Sequence, residues 1–185
     1  MRTFALLFSV TLLRADWVIE TRTPVGDKRM VIGESATKNQ QYVAGYGMVD
    51  IIRDYASGVV IRVTHVWKMY DVRPLAMGIA GPESRKAKKE TSLGTFHVAG
   101  QPCEKISYPD GEVCFATNIF QPEGYWALHP FLPKRGEVLW SKGMSGGTAP
   151  PLVTIYSVRK IVETGPDPAE FQPPPGYKQV ASIYK

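Results

Sequence analysis

The run Gly143-Met144-Ser145-Gly146-Gly147 matches G-x-S-x-G, the pattern that puts a nucleophilic serine on a sharp turn in serine hydrolases. That chemistry requires a helix directly after the turn and, in the hydrolase fold, a histidine further along the chain. Here two prolines and a strand-like segment follow, and all three histidines lie upstream. A chymotrypsin-like order would permit an upstream histidine, but no motif places its acidic partner. We therefore interpret the run as a glycine-rich loop and expect a protein that is not an enzyme.

The histidines are also poor candidates for a metal site. His65, His97 and His129 are isolated, whereas zinc sites usually contain close pairs of ligands. Phosphate-loop and dinucleotide-binding patterns are absent from the sequence. We predict no metal and no cofactor.

Cys103 and Cys114 flank a turn signal at Pro109-Asp110-Gly111. A two-residue turn at 110–111 places Ser107 opposite Cys114, so the two sulfurs lie about 13 Å apart at roughly 3.3 Å per residue. A disulfide needs Cα atoms within about 7 Å. A bulge or a longer loop would permit the bond. The sequence leaves open a disulfide or two buried thiols.

The elements that position these residues are predominantly strands. Short runs rich in β-branched and aromatic residues, separated by glycine and proline, predict a meandering antiparallel sheet. The predicted strands are 17–22, 28–34, 40–46, 50–53, 59–64, 67–72, 92–98, 104–108, 112–117, 125–129, 137–142 and 152–158. Residues 83–90 form a candidate helix or a mobile loop. Asp167 is placed to cap a helical turn at 168–171, with Pro168 at its first position.

Composition and charge narrow the class of protein. The 185 residues suit one domain, and 44% hydrophobic with 21% charged residues is ordinary for a globular protein. The net charge of +5 includes one basic cluster at 85–89. We interpret that cluster as a solvated face, with contact to anionic lipid headgroups as the alternative. No stripe or module for nucleic acid is visible, so no nucleic-acid partner is predicted.

The first fifteen residues resemble a signal peptide. Arg2 is followed by an apolar run from Phe4 to Leu13 that is too short to span a bilayer. We predict export to the periplasm or the exterior, with a single mature domain at 16–185. The cleavage region before Ala15 is poor, so a buried first strand or an uncleaved anchor remains an alternative. The first cysteine is Cys103, so N-terminal lipid attachment is not expected.

Apolar side chains at alternate strand positions predict one apolar face. Its members are Trp17, Ile19, Ile61, Val63, Trp67, Met69, Phe115, Trp126, Leu128, Trp140, Val153 and Ile155. This face is either an ordinary core sealed by a helix or an open groove. Because the sequence offers almost no helix to cover so many strands, the sheet must curl on itself or leave a groove for an apolar ligand.

The segment Asp167–Lys178 reads D-P-x-x-F-x-x-P-P-G-Y-K, and Gly100–Lys105 reads G-x-x-C-x-K. With the strand-rich stretch 50–63, these motifs resemble bacterial envelope domains of the LolA/LolB-like lipoprotein-localisation superfamily, to which ependymins are distantly similar. The resemblance covers roughly residues 16–180. It implies a mainly β fold with minor helix, a curved antiparallel sheet or open half-barrel.

The same resemblance implies an exported, non-enzymatic carrier or sensor that binds acyl chains of lipid or lipoprotein in its apolar groove. Arg53, Arg62 and Lys68 are the candidates for contact with a headgroup. The alternative is an envelope structural or interaction module with a filled core, no ligand and a protein partner.

Overall fold

A computed structural model of the chain describes residues 16–23, 26–76, 89–109, 111–128, 134–144 and 153–184. The strands are β1 (Asp16–Thr23), β2 (Gly26–Ile32), β3 (Ala36–Val43), β4 (Gly47–Asp54), β5 (Val59–Thr64), β6 (Met69–Pro74), β7 (Thr91–Val98), β8 (Gln101–Tyr108), β9 (Gly111–Phe120), β10 (Gly136–Met144), β11 (Val153–Thr164) and β12 (Lys178–Gln179). One helix, α1, spans Glu123–Leu128. The predicted mainly β class is confirmed.

All twelve strands belong to one open sheet in the order β12-β6-β5-β4-β3-β2-β1-β11-β10-β9-β8-β7. Every pairing is antiparallel except β12 with β6. Two meanders, β1–β6 and β7–β11, are joined where β1 pairs with β11, with Asp16 opposite Thr164. We call these two parts the β1–β6 half and the β7–β11 half.

Local sequence explains the hairpin between β4 and β5. The Asp54 carboxylate accepts hydrogen bonds from the amides of Ala56 and Ser57 and from the Ser57 hydroxyl. Gly58 closes the loop with φ +69°, a conformation that glycine adopts readily. The hairpin predicted between 50–53 and 59–64 is confirmed.

Residues 165–184, the C-terminal segment, wrap around the β6 edge of the sheet. The segment starts with a 3₁₀ turn at Pro168–Phe171, where Asp167 accepts a hydrogen bond from the Ala169 amide, as the cap prediction requires. It then pairs with β6 through β12. Beyond β12, Ile183 is buried against Val49 and Ile51 of β4. The C-terminal segment therefore packs on the β1–β6 half of the sheet.

A disulfide joins Cys103 of β8 to Cys114 of β9, with Cα atoms 5.5 Å apart. Tyr108 pairs with Gly111, so the hairpin turns at 109–110 and not at 110–111. Lys105 therefore lies opposite Cys114, and the offset between the cysteines falls from four residues to two. The sequence-based distance of about 13 Å between the sulfurs was too long because the predicted turn was placed one residue too late.

The strand predicted at 125–129 is wrong, because residues 123–128 form α1. Trp126 is buried in this helix, and its indole N–H donates to the Gln121 carbonyl. The predicted leader at 1–15, residues 83–88 of the candidate helix, Ser145 and His129 lie outside the described residues, and residues 89–90 of that candidate are not helical. In the part of the chain that the structure describes, no helix has the length and apolar character needed to cross a bilayer.

Candidate functional site

One row of side chains crosses four strands from an aromatic to a charged end. Trp17 lies opposite Ile32, Ile32 opposite Thr37, and Thr37 opposite Arg53. Directly opposed residues share a face of a sheet, so we call this the Trp17 face. Strands lie about 4.8 Å apart, so the row is about 14 Å long between its end Cα atoms.

Residues 118–128 cover this row, and we call the space between them the Trp17 cleft. The helix packs closely, because a Cβ on Gly124 would approach within 2.4 Å of the Tyr55 Cβ. The ring of Tyr125 also meets that of Tyr55 edge-on, with centroids 6.1 Å apart. The chain therefore fills the middle of the expected groove with its own helix and leaves smaller cavities at its sides.

The outer cavity of the cleft has a volume of about 430 Å³. Its apolar wall consists of Trp17, Ile32, Phe120 and Pro122. Three exposed carboxylates stand around it, those of Glu34, Glu123 and Glu163. The cavity thus combines an apolar wall with a negatively charged rim.

The inner cavity has a volume of about 240 Å³, and six of its seven lining residues carry a polar side-chain group. It shares Gln121 with the outer cavity, and its other lining residues are Met30, Thr37, Asn39, Arg53, Tyr55 and Tyr125. Arg53 Nη1 donates to the Asn39 Oδ1 atom at 2.9 Å, and the hydroxyls of Thr37 and Tyr55 are 3.5 Å apart.

Arg53 differs from the other arginines of the described residues. Six of the seven have a carboxylate partner within ion-pair distance, whereas the structure places none beside Arg53. The paired ones are Arg22, Arg29, Arg62, Arg73, Arg135 and Arg159. Arg53 is partly buried and lines the inner cavity, and no carboxylate of the described residues lies within ion-pair distance of it.

Burial and the surrounding charges shift several pKa values around this cavity. Burial raises the pKa of Tyr55 and of Tyr125, an effect that the nearby Arg53 charge opposes. The charge of Glu137 in β10 raises the pKa of the same two tyrosines, and burial raises the pKa of its own carboxyl group. Gln121 Nε2 donates to Glu137 Oε2 at 2.5 Å. The inner cavity is therefore part of a polar network and not of an apolar core.

The predicted apolar face is split between two sides of the sheet. Trp17 and Ile19 lie on the Trp17 face. Strand pairing leads from Ile19 across β2, β3 and β4 to Arg62, so Arg62 lies on this face too. Its neighbours Ile61 and Val63 therefore lie on the opposite face. Trp67 is not in a strand at all; it lies in the β5–β6 turn and is 46% exposed. The prediction of one continuous face is wrong there, because it assumed the same register in every hairpin.

The remaining predicted residues are scattered. Met69 packs with the cluster that the C-terminal segment buries. Phe115 lies under the Arg135 guanidinium, and Trp140 lies 4.7 Å from Lys105 Nζ. Trp126 and Leu128 are in α1 and not in a strand. Val153 and Ile155 lie in β11 and pair with β10, but their side chains lie outside the described residues.

Two of the three headgroup candidates lie away from the cleft. Arg62 is paired with the buried Asp71 and stacks on the Tyr184 ring, with its Cζ 4.3 Å from the centroid. Lys68 is in a turn with φ +51°, where its carbonyl accepts from the Lys178 amide. Arg53, the third candidate, lines the inner cavity of the cleft.

Sequence reasoning missed Tyr55, Gln121 and Tyr125, because the search for a groove considered apolar residues. A signal was present for Tyr55, which lies two residues after Arg53 in a strand-like stretch. Gln121 and Tyr125 gave none, since their position depends on how residues 118–128 fold back.

A larger open groove of about 570 Å³ lies beside β7–β9. Its lining includes Glu90 and Arg135, which pair with each other. Lys134, also in its lining, is paired with Glu123. Because these charges already have partners, the groove is a weaker candidate than the Trp17 cleft.

Comparison with known proteins identifies the fold and no more. No protein-family model and no curated protein matches the chain. A solved structure, the crystal structure of an uncharacterized conserved protein from Thermus thermophilus, is similar with a TM-score of 0.50 and 10% identity. The similarity covers 91% of each chain. At this identity the likeness concerns the architecture alone.

Proposed function

We propose that the protein is an exported, non-enzymatic binding protein that holds the acyl chain of a lipid or lipoprotein in the Trp17 cleft. The observation that carries the proposal is the outer cavity, where an aromatic and aliphatic wall remains open between the sheet and residues 118–128. Each buried CH₂ contributes about 0.8 kcal/mol to binding. The cleft is smaller than a full half-barrel groove, so it suits one chain.

Trp17 provides the test of this site. We expect Trp17→Ala to weaken binding of a twelve-carbon fatty acid and its alcohol about fivefold or more in isothermal titration calorimetry, because the ring forms the wall. Trp67→Ala is the matched control, since it removes an exposed indole in a turn outside the cleft. If the wild-type protein binds neither probe at millimolar concentration, the carrier proposal fails.

The second candidate function is an interaction module, and the β7 edge favours it. Thr91–Val98 contains no charged residue and no proline, and it is exposed from Thr91 to His97. Leu93 and Phe96 are each 43% exposed. An uncharged edge strand presents unpaired backbone groups to an extended segment of another envelope protein.

Thr95→Lys tests this second candidate by placing a charge in the middle of β7. Pull-down from an envelope extract, with identification by mass spectrometry, is expected to recover a partner with the wild type and to lose it with the variant. Thr117→Lys is the matched control on the internal strand β9. Equal recovery with all three proteins would exclude pairing through β7.

A further inference from the structure

We propose that the ligand of the Trp17 cleft is an amphipathic acid, bound with its anionic headgroup at Arg53 in the inner cavity and its chain in the outer cavity beside Trp17. This inference rests on the proposed function and specifies the class of ligand. Because it concerns only the headgroup, an experiment can disprove it while acyl-chain binding still holds.

The first step of the argument is the state of Arg53. A partly buried guanidinium is normally paired or fully hydrogen-bonded, because removing its charge from water is costly. Arg53 donates one hydrogen bond to Asn39 at 2.9 Å, and no carboxylate of the described residues is within ion-pair distance. A guanidinium has five N–H donors and binds carboxylate or phosphate oxygens in a fork.

The second step is the set of neutral donors around it. Thr37, Tyr55 and Gln121 bring two hydroxyl groups and an amide to the same 240 Å³ cavity. These groups can donate to oxygen atoms without adding charge. The cavity therefore has the composition of a small oxyanion subsite, and its volume admits a carboxylate or a phosphate.

The third step is the direction of the ligand. Glu34 and Glu163 line the outer cavity and repel an anion there, whereas Glu123 is paired with Lys134 and Arg53 attracts an anion at the inner end. The row from Arg53 to Trp17 is about 14 Å long, and Gln121 lines both cavities, so the chain passes from the inner to the outer cavity beside Gln121. Glu137 faces the network from β10, and its hydrogen bond to Gln121 holds the amide that both cavities share.

The experiment compares dodecanoate with 1-dodecanol, which has the same chain and no charge, by isothermal titration calorimetry at pH 7.5. Arg53→Gln is expected to raise the Kd for dodecanoate tenfold or more and to change the Kd for dodecanol less than twofold. Arg53→Lys, which keeps the charge, should recover part of the loss. Lys68→Asn is the matched control, because it removes a positive charge outside the cleft and suits a positive φ.

Three other outcomes decide against the inference. If Arg53→Gln weakens both probes equally, or neither, the headgroup does not lie at Arg53, while acyl binding stands. If Lys68→Asn weakens dodecanoate as strongly as Arg53→Gln does, general surface charge explains the preference. If the wild type binds neither probe, the proposed function fails and this inference fails with it. Unfolding curves for each variant show whether a loss of binding reflects loss of the fold.

Discussion

The β1–β6 half is held by the C-terminal segment, whereas the β7–β11 half is held by a covalent bond. In the first half, the Asp71 carboxylate is completely buried and binds Arg62, and it also accepts from the Ile183 amide at 2.8 Å. In the second half, Cys103 and Cys114 link β8 to β9, and the outer strand β7 has no covering strand among the described residues. The two ends of one open sheet are thus stabilised differently, one by a packed segment with a buried ion pair and the other by a disulfide.

The difference shows which conditions determine the stability of each end of the sheet. The β6 edge depends on ionised groups and on a segment far away in sequence, so its stability depends on pH and on that segment. The β8–β9 hairpin depends on a local crosslink, so its stability depends on redox conditions. Variants at the two ends should therefore respond to different agents.

The largest effect is expected for Asp71→Ala, at about 3 kcal/mol of unfolding free energy in urea. The change leaves Arg62 poorly solvated without its partner and the Ile183 amide without its acceptor. Asp27→Ala is the control, since Asp27 forms exposed ion pairs with Arg22 and Arg159 that are worth well under 1 kcal/mol. Hydrogen exchange should accelerate more in β4–β6 than in β8–β9, and the reverse order would break the comparison.

Replacing both cysteines by alanine should cost about 2 to 3 kcal/mol, because the crosslink closes a short loop of the unfolded chain. Exchange should then accelerate more in β8 and β9 than in β4–β6. A reducing agent applied to the wild type should reproduce the loss, and it should leave the double variant unchanged. Equal destabilisation of both halves would show that the sheet opens as one unit.

Glu170→Gln is expected to cost about 1 to 2 kcal/mol at pH 7, because the carboxylate binds Arg29 and Lys38. These partners hold the pKa of Glu170 below its ordinary value of 4.5. A lowered carboxyl pKa stabilises the fold above the unfolded value, and that stabilisation is lost as pH falls through the folded value. Urea titrations at pH 7 and pH 3 should therefore show the difference between the two proteins shrinking at the lower pH.

Glu137→Gln should have the smallest effect and the opposite sign. Burial raises the pKa of Glu137 above 4.5, so the folded state binds the proton more tightly and stability falls as pH rises through that window. The variant keeps an oxygen for the Gln121 amide and is expected to be more stable than the wild type by about 1 kcal/mol at pH 8, with no gain at pH 4. A gain that persists at pH 4 would contradict this cause.

The strand content, the β4–β5 hairpin and the Asp167 cap were predictable because they depend on neighbours in sequence. The β8–β9 turn was placed one residue late, since Pro109-Asp110 and Asp110-Gly111 both satisfy turn chemistry. α1 was mistaken for a strand, because six residues with two aromatics are ambiguous between the two structures. The predicted apolar face was wrong because the sequence does not show how the strands pair. Ile61 and Val63 do share one side of β5, but it is the side of the sheet opposite Trp17.

The site was predictable only in part. Trp17 and Arg53 were both named from sequence, one as groove wall and one as headgroup contact, and the structure places them at opposite ends of one row. Their connection required the register of four strands. Residues 118–128 cover this row because the chain folds back across the sheet after β9. No local sequence pattern predicts that path.

The bond between Asp71 and the Ile183 amide spans 112 positions of the chain. Arg62 can bind the carboxylate as soon as β5 and β6 pair, whereas the Ile183 amide reaches it only when the C-terminal segment packs. Closing so long a loop is also slower than forming the adjacent hairpins. We therefore expect the β6 edge to be completed after the neighbouring hairpins, when the C-terminal segment packs against it.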